Sequence, residues 1–112
     1  MARFIFTKHY NSALERIEDF IFTSTGSFDQ VSQFLDEHDN VLRFLEQNPK
    51  TPAIHPVTGD QSWIFGEGRY RLFFKSVEKD SELAIYLVHL IDNREANIDV
   101  YPGNRIPTYG ED

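Results

Sequence analysis

The feature that most limits the possible folds is a strictly alternating segment at residues 69–75, followed by an uninterrupted apolar segment at residues 83–91. In the first segment the odd positions are Arg69, Arg71, Phe73 and Lys75. The even positions are Tyr70, Leu72 and Phe74. This alternation predicts a half-buried strand with a packed side and a cationic side. The second segment is apolar on both sides, which is typical of a strand in the middle of a sheet. The polar residues 76–82 between the segments favour an antiparallel hairpin.

Length and composition indicate one domain over residues 1–112, with residues 98–112 as an extended C-terminal tail. Forty per cent of the residues are hydrophobic, enough for a substantial core. The chain contains no cysteine, which excludes disulfides and thiolate chemistry. No apolar segment is long enough for a signal peptide or a membrane span, so we expect a cytoplasmic protein.

The net charge of -7 argues against a broad electrostatic surface for nucleic acid or anionic membrane. Such surfaces need clustered excess lysine and arginine. We therefore expect no membrane partner and no nucleic-acid binding by this chain alone, except through a local cationic patch.

Two helices are predicted between the first strand and the rest of the sheet. Apolar residues recur at helical spacing after Thr7, the expected N-cap, and the segment at residues 23–26, which ends in Gly26, breaks that helix. Ser27 and Gln30 have capping-box spacing at the start of a second helix, which ends before Pro49. The short connection predicts an antiparallel helical hairpin.

The remaining elements are strands. Residues 3–6 form a short apolar strand, and residues 62–65 are joined to the alternating strand through a tight turn at residues 66–68. The irregular connection at residues 48–61 has a length that is often functional or mobile. We therefore predict an α+β fold: an N-terminal strand, an antiparallel helical hairpin, and a three-stranded antiparallel meander with the hairpin packed on one face.

Three segments resemble the RelE/ParE superfamily of toxins from bacterial type II toxin–antitoxin systems. Residues 4–21 resemble its strand-then-helix opening, with Thr7 at a position where Ser or Thr is common. Residues 70–72, Tyr-Arg-Leu, resemble its "YR-hydrophobic" strand, and residues 90–94 resemble the end of its last strand, with Arg94 in a short polar segment. The resemblance covers residues 4–94 and implies a sheet clasped by a helical hairpin.

The resemblance also implies growth inhibition by a toxin that a cognate antitoxin neutralises, as in systems that maintain plasmids or chromosomes. ParE-like members poison DNA gyrase, whereas RelE-like members are endonucleases that cleave mRNA on the ribosome. The acidic chain and acidic tail favour gyrase, which would make this protein a binding inhibitor and not an enzyme. The alternatives are a ribosome-dependent mRNA endonuclease and a non-toxic binding partner with the same fold.

Exposed aromatic residues and arginines are the types that dominate protein interfaces. The candidate target-binding residues are Trp63, Arg69, Arg71, Arg94 and Tyr101. If the chain cleaves RNA, the candidate catalytic residues are Arg69, Arg71 and Arg94, with His89 or Tyr101 exchanging a proton.

Structural roles remain open for the same residues. Arg69 and Arg71 can instead pair with acidic neighbours across the sheet, and His89 lies in an apolar segment where a hydrogen-bonded core histidine is expected. Trp63 is expected to contribute to the core as well. The histidines fall on separate predicted elements without ligand spacing, so we expect neither metal nor cofactor; they are His9, His38, His55 and His89.

Overall fold

The computed structural model describes residues 2–93, so Arg94, Tyr101 and the tail at residues 98–112 lie outside the described residues. Two helices and four strands follow one another in this range. They are β1 (Ala2–Phe6), α1 (Lys8–Thr25), α2 (Phe28–Gln47), β2 (Gln61–Phe65), β3 (Tyr70–Lys79) and β4 (Glu82–Asp92). The predicted α+β class is confirmed.

Both helices begin at the predicted caps and α2 ends where the sequence predicts, whereas α1 continues through residues 23–25 of the predicted break and ends at Gly26. The Thr7 side chain accepts a hydrogen bond from the Tyr10 N–H at 3.2 Å, and that of Ser27 accepts one from the Gln30 N–H at 3.3 Å. Each cap satisfies a backbone donor that the first helical turn leaves unpaired. Gly26 ends α1 with φ of 68°, a left-handed conformation that costs glycine little.

The sheet differs from the predicted three-stranded antiparallel meander. Its order is β1-β4-β3-β2, and β1 joins it by pairing in parallel with β4, which makes the sheet four-stranded and mixed. Two parallel neighbouring strands need a crossover connection. Here β1 and β4 are connected along the sequence by the elements from α1 to β3. The apolar segment forms β4, which lies between β1 and β3, in the interior position that its pattern predicts.

The second hairpin is tighter than predicted. The strands β3 and β4 continue to Lys79 and Glu82, so only Asp80 and Ser81 form the turn. Both turn residues have positive φ, 52° and 67°. Two such residues match the right-handed twist of the flanking strands, which lets the polar residues 76–79 remain in a strand.

The helices cover one face of the sheet. Tyr70, Leu72 and Phe74 belong to the same buried cluster as the inward side chains of both helices. Those helical residues are Tyr10, Ala13, Ile17 and Ile21 on α1, and Phe34, Val41 and Leu45 on α2. No helix within residues 2–93 combines the length and apolar character needed to cross a bilayer.

The predicted cationic face is only partly open. Arg69 precedes β3 and lies in the turn, where its N–H donates to the Gly66 carbonyl at 3.2 Å. Phe73 is only 2% exposed, since the rings of His55 and His89 lie against it with centroids 5.3 and 5.9 Å away. The alternating pattern is correct for β3, but the loop before β2 covers part of the face opposite the helices.

Candidate functional site

An open groove of about 510 Å³ lies between β2 and the loop that precedes it. Its lining combines aliphatic, aromatic and cationic side chains from β2, β3 and residues 53–56. The lining residues are Ala53, Ile54, His55, Pro56, Ser62, Trp63, Ile64 and Arg71. Hereafter this is the Trp63–Arg71 groove.

The loop side of this groove is fixed by hydrogen bonds. The Gln61 amide donates to the carbonyls of Pro49 and Pro52 at 2.9 and 3.1 Å. The Ser62 N–H donates to the Ala53 carbonyl at 3.1 Å. The connection that the sequence marks as irregular is therefore tied to β2 at several points, which positions the groove wall.

Arg71 brings the groove its charge. The side chain is half-buried, and its Nη1 donates to the Ser62 hydroxyl at 2.6 Å. Burial, and then the nearby Arg71 charge, lower the pKa of His55. His55 is therefore neutral at pH 7, and its Nδ1 accepts the Val57 N–H at 3.2 Å, which leaves the ring proton on Nε2.

The apolar part of the groove is accessible. Ile54 is 66% exposed and Ile64 is 43% exposed. Trp63 stacks on Phe44 of α2 with ring centroids 4.9 Å apart and still contributes to the groove lining. The groove thus presents an anchored aromatic ring, an arginine and exposed aliphatic side chains together.

A second cluster lies beyond the end of β1. His9 Nε2 and His89 Nδ1 are 2.6 Å apart and share a hydrogen bond, with ring centroids 4.5 Å apart. Thr7 holds His9 in place, because its N–H and its hydroxyl both donate to the Leu87 carbonyl, at 3.2 and 2.8 Å. Hereafter this is the His9–His89 pair.

The electrostatics of this pair keep His89 neutral. Burial, then the charges of His9 and Arg16, lower the pKa of His89 to about 4. A neutral imidazole keeps a lone pair that can accept a hydrogen bond, but a pKa of about 4 makes His89 a weak base at pH 7. The sequence contains no local signal for this pair because its members are 80 residues apart.

The structure brings together only some of the predicted site residues. Trp63 and Arg71 line the same groove. Arg69 instead lines a separate cavity of about 70 Å³ with residues of both helices, among them Phe20 and Glu37. Arg94 and Tyr101 lie outside the described residues, so their relation to the groove is not defined.

Metal-ligand geometry and similarity to known proteins add no further assignment. Within residues 2–93, no three acidic, histidine or cysteine side chains gather in a way that could hold a metal ion. No protein-family model matches the sequence, and no curated protein matches it.

Proposed function

We propose that this chain is the toxin of a cytoplasmic type II toxin–antitoxin pair, that a cognate antitoxin neutralises it, and that it inhibits growth by binding DNA gyrase. On this proposal the chain performs no chemistry of its own. It binds gyrase and traps the cleaved-DNA state that gyrase itself produces.

The arrangement of elements supports the toxin assignment. A helical hairpin packed on one face of the sheet agrees with the fold that the sequence resemblance implies. The described parts of the three resembling segments occupy β1 with α1, the start of β3 and the end of β4.

The Trp63–Arg71 groove is the observation that carries the proposal of a protein target. Tryptophan and arginine are enriched in the few residues that dominate binding energy at protein interfaces. Here both line one open groove beside the exposed Ile54 and Ile64. An accessible apolar surface with an arginine is typical of a protein interface, whereas a nucleic-acid interface carries more positive charge.

The decisive experiment measures gyrase supercoiling and DNA cleavage with the purified protein, with and without its antitoxin. We expect cleaved DNA to accumulate and the antitoxin to suppress it. The variant Ile64→Ser should weaken inhibition about tenfold, because it removes an exposed aliphatic contact from the groove. Phe28→Ser is the control, since Phe28 is a 74% exposed apolar residue that does not line the groove.

Arg71 gives the sharper test of the groove. Arg71→Gln keeps a hydrogen-bond donor for Ser62 and removes the charge, so the fold should persist while inhibition falls. Circular dichroism and urea unfolding check the fold. Full inhibition by a folded Arg71→Gln protein would contradict the role of the groove.

Ribosome-dependent cleavage of mRNA is a second candidate, and the His9–His89 pair specifically favours it. RNA cleavage needs a base for the 2′-hydroxyl, an acid for the leaving oxygen, and cations for the phosphorane charge. The pair offers two hydrogen-bonded imidazole rings, and Arg16 is close enough to influence the pKa of His89.

The two candidates separate through different variants. His89→Gln should abolish cleavage of ribosome-bound mRNA and leave gyrase inhibition unchanged. Ile64→Ser should instead weaken gyrase inhibition and leave mRNA cleavage unchanged. If neither activity is present in the folded wild-type protein at high excess, both candidates fail and the non-toxic binding partner becomes the better assignment.

A further inference from the structure

Within residues 2–93, half of strand β3 has no neighbouring strand on one side. β3 contains ten residues, but β2 pairs only with residues 70–74 of it. Residues 75–79 pair with β4 on the inner side, and all five are exposed. Hereafter the outer side of residues 75–79 is the open β3 edge.

The hairpin register determines which backbone groups point out of this edge. Lys79 and Glu82 close a two-residue turn, so Lys79, Val77 and Lys75 direct their backbone groups towards β4. Ser76 and Glu78 therefore direct their N–H and C=O groups outward. Within residues 2–93, no backbone hydrogen bond reaches these outward groups.

A cavity of about 550 Å³ adjoins the open β3 edge where β2 begins. Lys50, Ile54 and Val77 contribute to its lining. The buried Asp60 also lines it, and one Asp60 carboxylate oxygen pairs with Lys75. Among the described residues, the other oxygen has no hydrogen-bond partner. The edge thus ends in an open cavity, where one acceptor oxygen is unpaired within the described part of the chain.

The side chains of the open β3 edge determine which kind of added strand can pair with it. On the face opposite the helices they alternate as Lys75, Val77 and Lys79. A second copy pairing antiparallel about Val77 would place Lys75 against Lys79 twice, and like charges directly opposite each other repel. A strand with acidic residues at those positions would instead meet opposite charges.

Both lysines can still bind a new carboxylate. Lys75 pairs with Asp60, but its side chain is 57% exposed and an ammonium group has three donors. Lys79 is exposed at the end of the strand, where Glu82 is its cross-strand neighbour. Glu78 projects on the other face, where it disfavours an acidic residue.

We propose that the open β3 edge binds an extended segment of a partner protein by strand addition, and that this segment alternates acidic, apolar and acidic residues against Lys79, Val77 and Lys75. Backbone hydrogen bonds to Ser76 and Glu78 supply affinity, and the lysines supply specificity. The proposal does not depend on the toxin assignment or on the Trp63–Arg71 groove.

The probe is the blocked pentapeptide Asp-Thr-Val-Thr-Asp, titrated into the ¹⁵N-labelled full chain and followed by NMR. We expect the amide signals of Ser76 and Glu78 to shift and their hydrogen exchange to slow. In antiparallel pairing the two threonines exchange hydrogen bonds with the edge. N-methylation of both threonines should therefore abolish binding, whereas N-methylation of the valine, whose N–H points away, should not.

Two variants at one position separate the backbone contribution from the side chain. Glu78→Pro removes an outward N–H without breaking the ladder to β4, and edge strands tolerate such a proline. It should weaken peptide binding at least about tenfold, while Glu78→Ala should bind at least as well as the wild type. Equal binding by Glu78→Pro and Glu78→Ala, with both proteins folded, would overturn strand addition.

Reversing the charge at Lys79 tests the specificity for an acidic segment. Lys79→Glu should weaken binding of the acidic peptide and strengthen binding of Lys-Thr-Val-Thr-Lys, about tenfold in each direction. If both peptides bind the wild type equally, the proposed charge pattern is wrong. If the wild type forms a dimer in sedimentation and its dimerisation is lost in Glu78→Pro, the occupant is a second copy, which also overturns the proposal.

Discussion

Two histidine pairs with nearly the same hydrogen-bond length occupy very different surroundings. His38 Nε2 lies 2.7 Å from the Tyr10 hydroxyl, and His9 Nε2 lies 2.6 Å from His89 Nδ1. The first pair is buried beneath the helices, where the rings of Phe34 and Phe65 lie near His38. The second pair is only half-buried.

This difference suggests different roles for the two pairs. Burial lowers the pKa of His38 and raises that of Tyr10, so both groups are neutral and satisfy each other inside the core. His89 is also neutral, but its surroundings include the charges of His9 and Arg16. A short hydrogen bond therefore does not identify a functional histidine, whereas its access to charge and solvent can.

The largest expected effect is a difference in the free energy of unfolding between variants of the two pairs. His38→Ala should lower the free energy of unfolding by about 3 kcal/mol, because it leaves a cavity and an unpaired Tyr10 hydroxyl. His89→Ala should lower it by about 1 kcal/mol, since both residues of that pair are only half-buried. Urea unfolding monitored by tryptophan fluorescence measures both. Equal losses would mean that the His9–His89 pair is as structural as the His38–Tyr10 pair.

The pH dependence of stability gives the next effect. The pKa of His89 is about 4 in the folded state and about 6.5 in the unfolded state. Between these values the unfolded state binds the proton, so His89 makes stability fall as the pH drops from 6.5 towards 4, by up to about 1.4 kcal/mol per pH unit. His89→Gln should remove this share of the slope.

Urea unfolding of the wild type and His89→Gln at several pH values measures the difference. The lowered pKa of His38 contributes a slope of the same sign to both proteins and therefore cancels. Above pH 7.5 the two curves should be parallel. Parallel curves down to pH 5 would show that His89 has an ordinary pKa.

A smaller effect is expected at Thr7, which positions His9. Thr7→Ala removes the cap of α1 and the hydroxyl bond to Leu87, so it should cost about 1 kcal/mol. It should also loosen the His9–His89 pair, which side-chain ¹⁵N NMR detects through changed ring-nitrogen shifts. Thr7→Ser keeps the hydroxyl and is the matched control. Unchanged His9 and His89 signals in Thr7→Ala would exclude this positioning role.

The smallest effect concerns His55 in the groove. Removing the charge in Arg71→Gln should raise the pKa of His55, because that charge opposes protonation of the ring. The pKa should stay below its ordinary value, since burial is the larger cause. An NMR titration of the His55 ring measures the shift. A return to the ordinary value would mean that Arg71, and not burial, dominates.

Local patterns predicted the helices, their caps and the buried side of β3. Thr7, Ser27 and Gly26 determine helix ends through contacts within a few residues, which sequence spacing shows directly. The same patterns did not reveal that β1 joins the sheet in parallel, because that choice depends on where the helical hairpin returns the chain. They also did not reveal that His55 and His89 cover Phe73.

The amino-acid sequence by itself determined the α+β class, the helical hairpin, the interior strand β4 and the alternation of Arg71 with core residues. Periodicity and capping act over a few residues, so these features can be recognised from the sequence. Only the tertiary structure decided that Trp63 and Arg71 share a groove, that His9 meets His89, and that β3 extends past β2. These features depend on strand register and on chain segments distant in sequence, and no short-range pattern encodes them.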